Sequence, residues 1–138
     1  VPYNADTVMA KKEKYKPSEA ELEILQILWE QQPTTVKVIH EILSKKKEVG
    51  YTTVLKQMQR MYEDKKVLKR MKKGKTHLYE AIPKESEIQQ GLFSKLVDTV
   101  FKGSSMDLVM HALGKTKTSE EELEVLQEWL DQQKKKKK

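Results

Sequence analysis

Apolar residues recur at three- and four-residue spacing early in the chain, at Leu22, Leu25, Leu28 and Trp29, with Glu23, Gln26 and Glu30 between them. Ser18 precedes Glu21 by three residues and follows Pro17. That is the signature of a capping box, so a first helix opens there and runs to about Gln32, stopping before Pro33. Thr34 or Thr35 can cap a second helix with a stripe of Val38, Ile39, Ile42 and Leu43. Lys45, Lys46 and Lys47 then stand where a helix C-terminus favours cations. A third helix begins near Tyr51-Thr52-Thr53 after Gly50, with Val54, Met58, Met61 and Tyr62 on one face. Thr52, Lys56 and Gln59 lie opposite, flanked by Thr53, Gln57 and Arg60.

After Asp64 the period changes. Val67 to Met71 and Thr76 to Ile82 read as two strands joined by a tight turn, Lys72-Lys73-Gly74-Lys75. Three helices followed by a hairpin is the order of a winged helix-turn-helix domain, in which the third helix enters a major groove and the hairpin reaches the adjacent backbone. Helical periodicity then returns. Ile88, Leu92, Leu96 and Val100 repeat, widened by Phe93 and Val97; Leu108, Val109, Ala112 and Leu113 follow Gly103; Ser119 caps a last helix carrying Leu123, Leu126, Trp129 and Leu130. Three amphipathic helices in fewer than 50 residues cannot bury all these faces on one another, so a second copy of the chain is the simplest cover. The expected fold is mostly α with one small hairpin: a flexible extension over 1–15, a winged-helix head over 16–83, a helical dimerisation domain over 84–133 and a lysine tail over 134–138.

Charge sharpens this division. The net of +6 is spread unevenly: residues 9–83 hold 17 basic and 10 acidic side chains, 84–131 hold 5 and 10, and Lys134 to Lys138 add five more cations. A basic front suits a polyanion, while an acidic back should avoid one. The lysine run reads first as a solvated helix end and second as an auxiliary phosphate clamp. Met9-Ala10-Lys11-Lys12 looks like a natural start, and the eight residues before it are set aside. With 37% hydrophobic and 35% charged residues, five Gly and four Pro, the core is small and loops are few. No cysteine means no disulfide, thiolate catalysis or thiolate metal site. No apolar run approaches a membrane span, so the expected setting is cytoplasmic, with no membrane partner.

For chemistry, the third helix offers Thr52, Thr53, Lys56 and Gln57 to base edges and nearby phosphates, then Gln59, with Arg60 towards the backbone. A solvated polar face is the plainer reading of such a helix taken alone. The hairpin shifts the balance: Lys69, Arg70, Lys72, Lys73 and Lys75 crowd five cations onto seven positions at a projecting loop. His40, His77 and His111 are scattered without carboxylate spacing and read as structural. Met58, Met61, Met71, Met106 and Met110 read as core filler. Neither a nucleophile elbow nor a Gly-rich phosphate loop is present, so no enzyme, cofactor or metal is expected.

The run from Ala20 to Trp29, the tetrapeptide Tyr51-Thr52-Thr53-Val54, Arg60-Met61 and the hairpin ending at Tyr79 resemble the penicillinase-repressor (BlaI/MecI/CopY) family of winged-helix regulators. The resemblance spans about residues 16–130. It implies a homodimer that binds a palindromic operator in double-stranded DNA through two heads and dimerises through C-terminal helices. On that reading Ile88, Leu92, Leu96, Val100, Leu123, Leu126, Trp129 and Leu130 form the dimer contact. It also implies control of an antibiotic-resistance-type or related inducible operon, with inactivation by a sensor-linked protease. Three departures stand beside it. The copper-responsive branch uses C-terminal cysteines, absent here. The proteolytic branch is cut at an Asn-Phe bond, where the matching region here reads Ser94-Lys95-Leu96-Val97. Relatives often place Gly after the recognition helix, where this chain has Asp64-Lys65-Lys66. The expected function is a sequence-specific transcriptional repressor. The alternatives are a protein-interaction module on a winged-helix scaffold and, less supported, a peripheral membrane binder acting through the lysine tail.

Overall fold

The computed structural model describes residues 15–137. The expected extension, apart from Tyr15, and Lys138 lie outside the described residues. Ser18 is extended (φ −69, ψ 169), so its hydroxyl accepts from the Glu21 N–H at 3.1 Å, and its own N–H donates to Glu21 Oε1 at 2.8 Å. Two otherwise orphaned donors are satisfied reciprocally, which starts α1 (Glu19–Gln31). The buried face of α1 is Ile24, Leu25, Ile27 and Leu28, with Trp29 partly buried beside it. This is broader than the expected stripe of Leu22, Leu25, Leu28 and Trp29, because α1 meets two other helices and the hairpin at once.

Thr35, not Thr34, caps α2 (Val36–Ser44), its hydroxyl accepting from the Val38 N–H at 3.2 Å. Thr34 is instead buried and bridges Tyr79 through two backbone hydrogen bonds of 3.1 and 2.7 Å. The inward residues of α2 are Val36, Ile39 and Leu43, those of α3 (Tyr51–Glu63) Val54, Met58 and Met61. Leu68 and Tyr79 from the hairpin close this core. Burial of these side chains, each contributing roughly 1.5–3 kcal/mol, holds the head together.

β1 (Leu68–Lys73) and β2 (Thr76–Ala81) pair antiparallel with Arg70 opposite Tyr79 and Lys73 opposite Thr76. The strands are therefore longer at the tip than the sequence pattern suggests, and the loop shrinks to Gly74-Lys75. Gly74 supplies the positive φ of 62 that a two-residue hairpin loop demands. Side-chain alternation puts Leu68, Arg70 and Lys72 on the core side and Lys69, Met71 and Lys73 on the outer side. The hairpin is tied back to α1 by Trp29 Nε1–H donating to the Pro83 carbonyl at 3.0 Å and the Ala81 N–H donating to Gln32 Oε1 at 2.8 Å.

Three helices follow: α4 (Glu85–Thr99), α5 (Ser105–Lys115) and α6 (Glu120–Lys136). Ser104 caps α5, and Ser119 forms a second capping box with Glu122 at α6. α6 carries on through Lys136, so Lys134, Lys135 and Lys136 form its last turn, where the macrodipole favours cations. The chain divides into two compact units, Val1–Phe93 and Ser94–Lys138, with the division inside α4. The first unit holds the core. In the second, Val97 is buried, whereas α5 and α6 bury no residue at all.

Candidate nucleic-acid interface

The approach to α3 is held by local contacts. His40 Nε2 lies 2.9 Å from the Val49 carbonyl and 3.1 Å from Ser44 Oγ, and the ring meets Tyr51 edge-on at 5.7 Å. One imidazole thus staples the end of the turn between α2 and α3 to α2. Gly50 is the N-cap of α3 and makes no side-chain cap bond, so the first N–H groups of the helix are left for an outside acceptor.

With Val54, Met58 and Met61 turned inward, Thr52, Thr53, Lys56 and Arg60 are exposed together on the outer face, while Gln57 and Gln59 are half-buried at its two edges. Arg60 Nη2 donates to Gln57 Oε1 at 3.2 Å, so these two side chains act as a pair. The outer face contains hydroxyls, an ammonium, amides and a guanidinium, and no carboxylate until Glu63. A surface of this composition can donate hydrogen bonds to base edges and phosphate oxygens. Tyr51, 45% exposed at the first position of α3, belongs to the same surface and was not singled out by charge or periodicity. Its only sequence signal is its place beside Thr52 and Thr53.

The five hairpin cations are not equivalent. Lys69 Nζ lies 3.2 Å from Glu80 Oε2, directly across the hairpin. Arg70 is half-buried: its guanidinium carbon sits 4.1 Å over the Tyr62 ring, and Nη1 donates to Tyr79 Oη at 3.4 Å. The Tyr79 hydrogen bond raises the Arg70 pKa above its ordinary value. Arg70 therefore braces the hairpin against α3, while Lys72, Lys73 and Lys75 are exposed and form no ion pair among the described residues. Sequence reasoning weighted all five alike, because the Tyr62 contact depends on where the helix and hairpin meet.

The eight residues expected at a dimer contact also divide. Ile88 is buried within the first unit and Leu92 is half-buried, whereas Leu96, Val100, Leu123, Trp129 and Leu130 are exposed and Leu126 is half-exposed. Met106 and Met110 are 65% and 60% exposed and Met71 is half-exposed, so of the methionines read as filler, Met58 and Met61 fill the core and these three do not. Met106 and Met110 stand on faces of α5 that a single chain leaves in solvent, and Met71 is on the outer side of β1. Among the described residues no cluster of His, Asp or Glu could hold a metal ion, and no helix is long and apolar enough to cross a membrane.

Three helices, a stapled turn and a basic hairpin define a winged-helix DNA-binding protein. The profile of the penicillinase repressor family matches residues 17–132, and the chain belongs to that family. It is similar to the methicillin resistance regulatory protein MecI of Staphylococcus aureus strain N315, 27% identical over 117 residues that cover 85% of this chain and 94% of the relative. The MecI of Mammaliicoccus sciuri is 26% identical over the same shares. A solved structure of Lactococcus lactis ZitR aligns over 96% of this chain and 92% of that one, at 17% identity and a TM-score of 0.36. The chain is accordingly a DNA-binding transcriptional repressor of the BlaI/MecI type, and its relatives are regulators, not enzymes.

Proposed function

We propose that the chain acts as a homodimer on a palindromic operator, each head laying α3 in a major groove and its hairpin on the neighbouring backbone. The observation that carries this is the continuous exposed surface of Thr52, Thr53, Lys56 and Arg60, next to a hairpin tip with three uncommitted lysines. Thr52, Thr53, Lys56 and Gln57, with Gln59 behind them, supply base and near-base contacts; Arg60, Lys72, Lys73 and Lys75 supply phosphate contacts; Lys69 and Arg70 shape the hairpin and add field. Homodimerisation is supported by the second unit, most of whose apolar side chains on α5 and α6 are exposed in the single chain.

The likeness to methicillin resistance regulatory proteins supports a resistance-type or related inducible operon as the target. Release by a sensor-linked protease would require a bond other than Asn-Phe, since the sole asparagine, Asn4, precedes Ala5. Fluorescence anisotropy against palindromic and scrambled duplexes tests the reading. Lys56→Ala should weaken the specific site by about 1–3 kcal/mol and scarcely alter the scrambled one. Absence of duplex binding at low salt would sink it.

A further inference from the structure

Helix α6 is acidic in its first turn and basic in its last, as its own macrodipole favours, and Glu122 also closes the Ser119 capping box, yet Glu120 and the three lysines form no ion pair among the described residues. Its first turn holds Glu120, Glu121 and Glu122 and its last turn Lys134, Lys135 and Lys136, about 21 Å apart along the axis at ~1.5 Å per residue. Between these ends Leu123, Leu126, Leu130 and Gln133 are spaced three, four and three residues apart. That is the narrow seam by which one helix meets another along its length, rather than the wide face that lies on a core. Leu123 is 51% exposed and Leu130 46%, and no residue of α6 is buried.

We propose that α6 pairs antiparallel with α6 of a second copy, about a two-fold axis beside Glu128, so that the glutamates opening each helix clasp the lysines closing the other. This rests on the homodimer reading and gives it a direction and a register. About that axis Leu126 meets the partner's Leu130 in the two central layers, and Leu123 meets the partner's Gln133 in the two outer ones, so the apolar contact is central and the polar side chain falls at each end. The flanking positions then fall into place without adjustment: Glu120 lies beside the partner's Lys134 and Glu122 beside the partner's Lys136. Trp129 lies beside the partner's Trp129, which covers its exposed ring. A parallel pairing would gather the two acidic first turns at one end and the two lysine turns at the other, without the cross-helix Glu–Lys pairs.

The test uses two variants of the full chain, E120K/E122K and K134E/K136E. Each alone turns every flanking pair repulsive, so its homodimer dissociation constant in sedimentation equilibrium should rise about tenfold or more at low salt, with the difference shrinking as salt screens it. Mixed one to one, the two variants restore all four attractive pairs. Native mass spectrometry should then find heterodimers well above the statistical half. Circular dichroism of each variant checks that α6 is still helical, and the heterodimer arm reads pairing even if one variant is less stable. A wild-type dimer unaffected by either variant, or a statistical mixture, overturns the pairing while leaving the dimer standing. A wild-type chain that is monomeric at micromolar concentration overturns the dimer itself. Weakened duplex binding by K134E/K136E with an unchanged dimer assigns the lysines to phosphate and likewise overturns the pairing.

Discussion

Two residues past Asp64, the C-cap of α3, Lys66 has φ 56, a region where a Cβ crowds the following carbonyl and glycine is the usual occupant. Val67 N–H donates to the Met61 carbonyl at 2.9 Å across this bend, so the strained residue lets the chain turn into β1. The departure from family habit noticed in the sequence is thus a real left-handed lysine. Lys66→Gly should stabilise the head by up to about 1 kcal/mol, the steric relief being partly offset by the greater freedom of glycine in the unfolded chain. A shift of the urea midpoint at constant slope measures it. The hairpin cations give a paired prediction. Lys73→Ala should weaken all duplexes alike and lower the salt slope by about one. Arg70→Ala should lower stability by about 1 kcal/mol even without DNA, because it removes the guanidinium stacked on Tyr62.

At the scale of elements, capping chemistry predicts boundaries well. Ser18 reads in the sequence as a capping box and Ser119 as a plain cap, and both form boxes, Ser119 with Glu122. Ser18→Ala should cost about 1 kcal/mol in chemical denaturation of the head. The hairpin was legible in its existence and less so in its turn. Gly74 has nothing within 4 Å of a notional Cβ, so Gly74→Ala meets no clash and its cost, about 1 kcal/mol, comes from the positive φ alone. A drop in melting temperature with unchanged far-ultraviolet dichroism would show this; no drop would mean the loop relaxes to another turn.

At the scale of the molecule, the two units obey different economies. The head buries Leu25, Leu28, Ile39, Met58 and Met61 completely or nearly so, whereas the second unit leaves Met106, Val109, Met110, Leu113 and Val125 exposed along with most of the α6 seam. A chain folded in this way should melt at a temperature that rises with protein concentration, since association stabilises only the folded form. Trp129→Ala, which removes a 56% exposed ring from α6, should flatten that dependence, and an isolated 1–93 head should melt independently of concentration. Differential scanning calorimetry over a hundredfold range of concentration reads both.

The order of three helices, a hairpin and three further helices was determined by the sequence itself, because periodicity, caps and the Gly74 turn are local signals that act within a few residues. So was the outer face of α3, which follows from the placement of Val54, Met58 and Met61 alone. Tertiary structure decided what depends on approach between distant segments. It set the breadth of the buried face on α1, drew Thr34 into a bridge with Tyr79, withdrew Arg70 to Tyr62 and buried Ile88 while leaving Leu96 in solvent. Each of these is fixed by which elements meet, and a pattern along one element records that it has an apolar face without recording how much of that face a neighbour will cover.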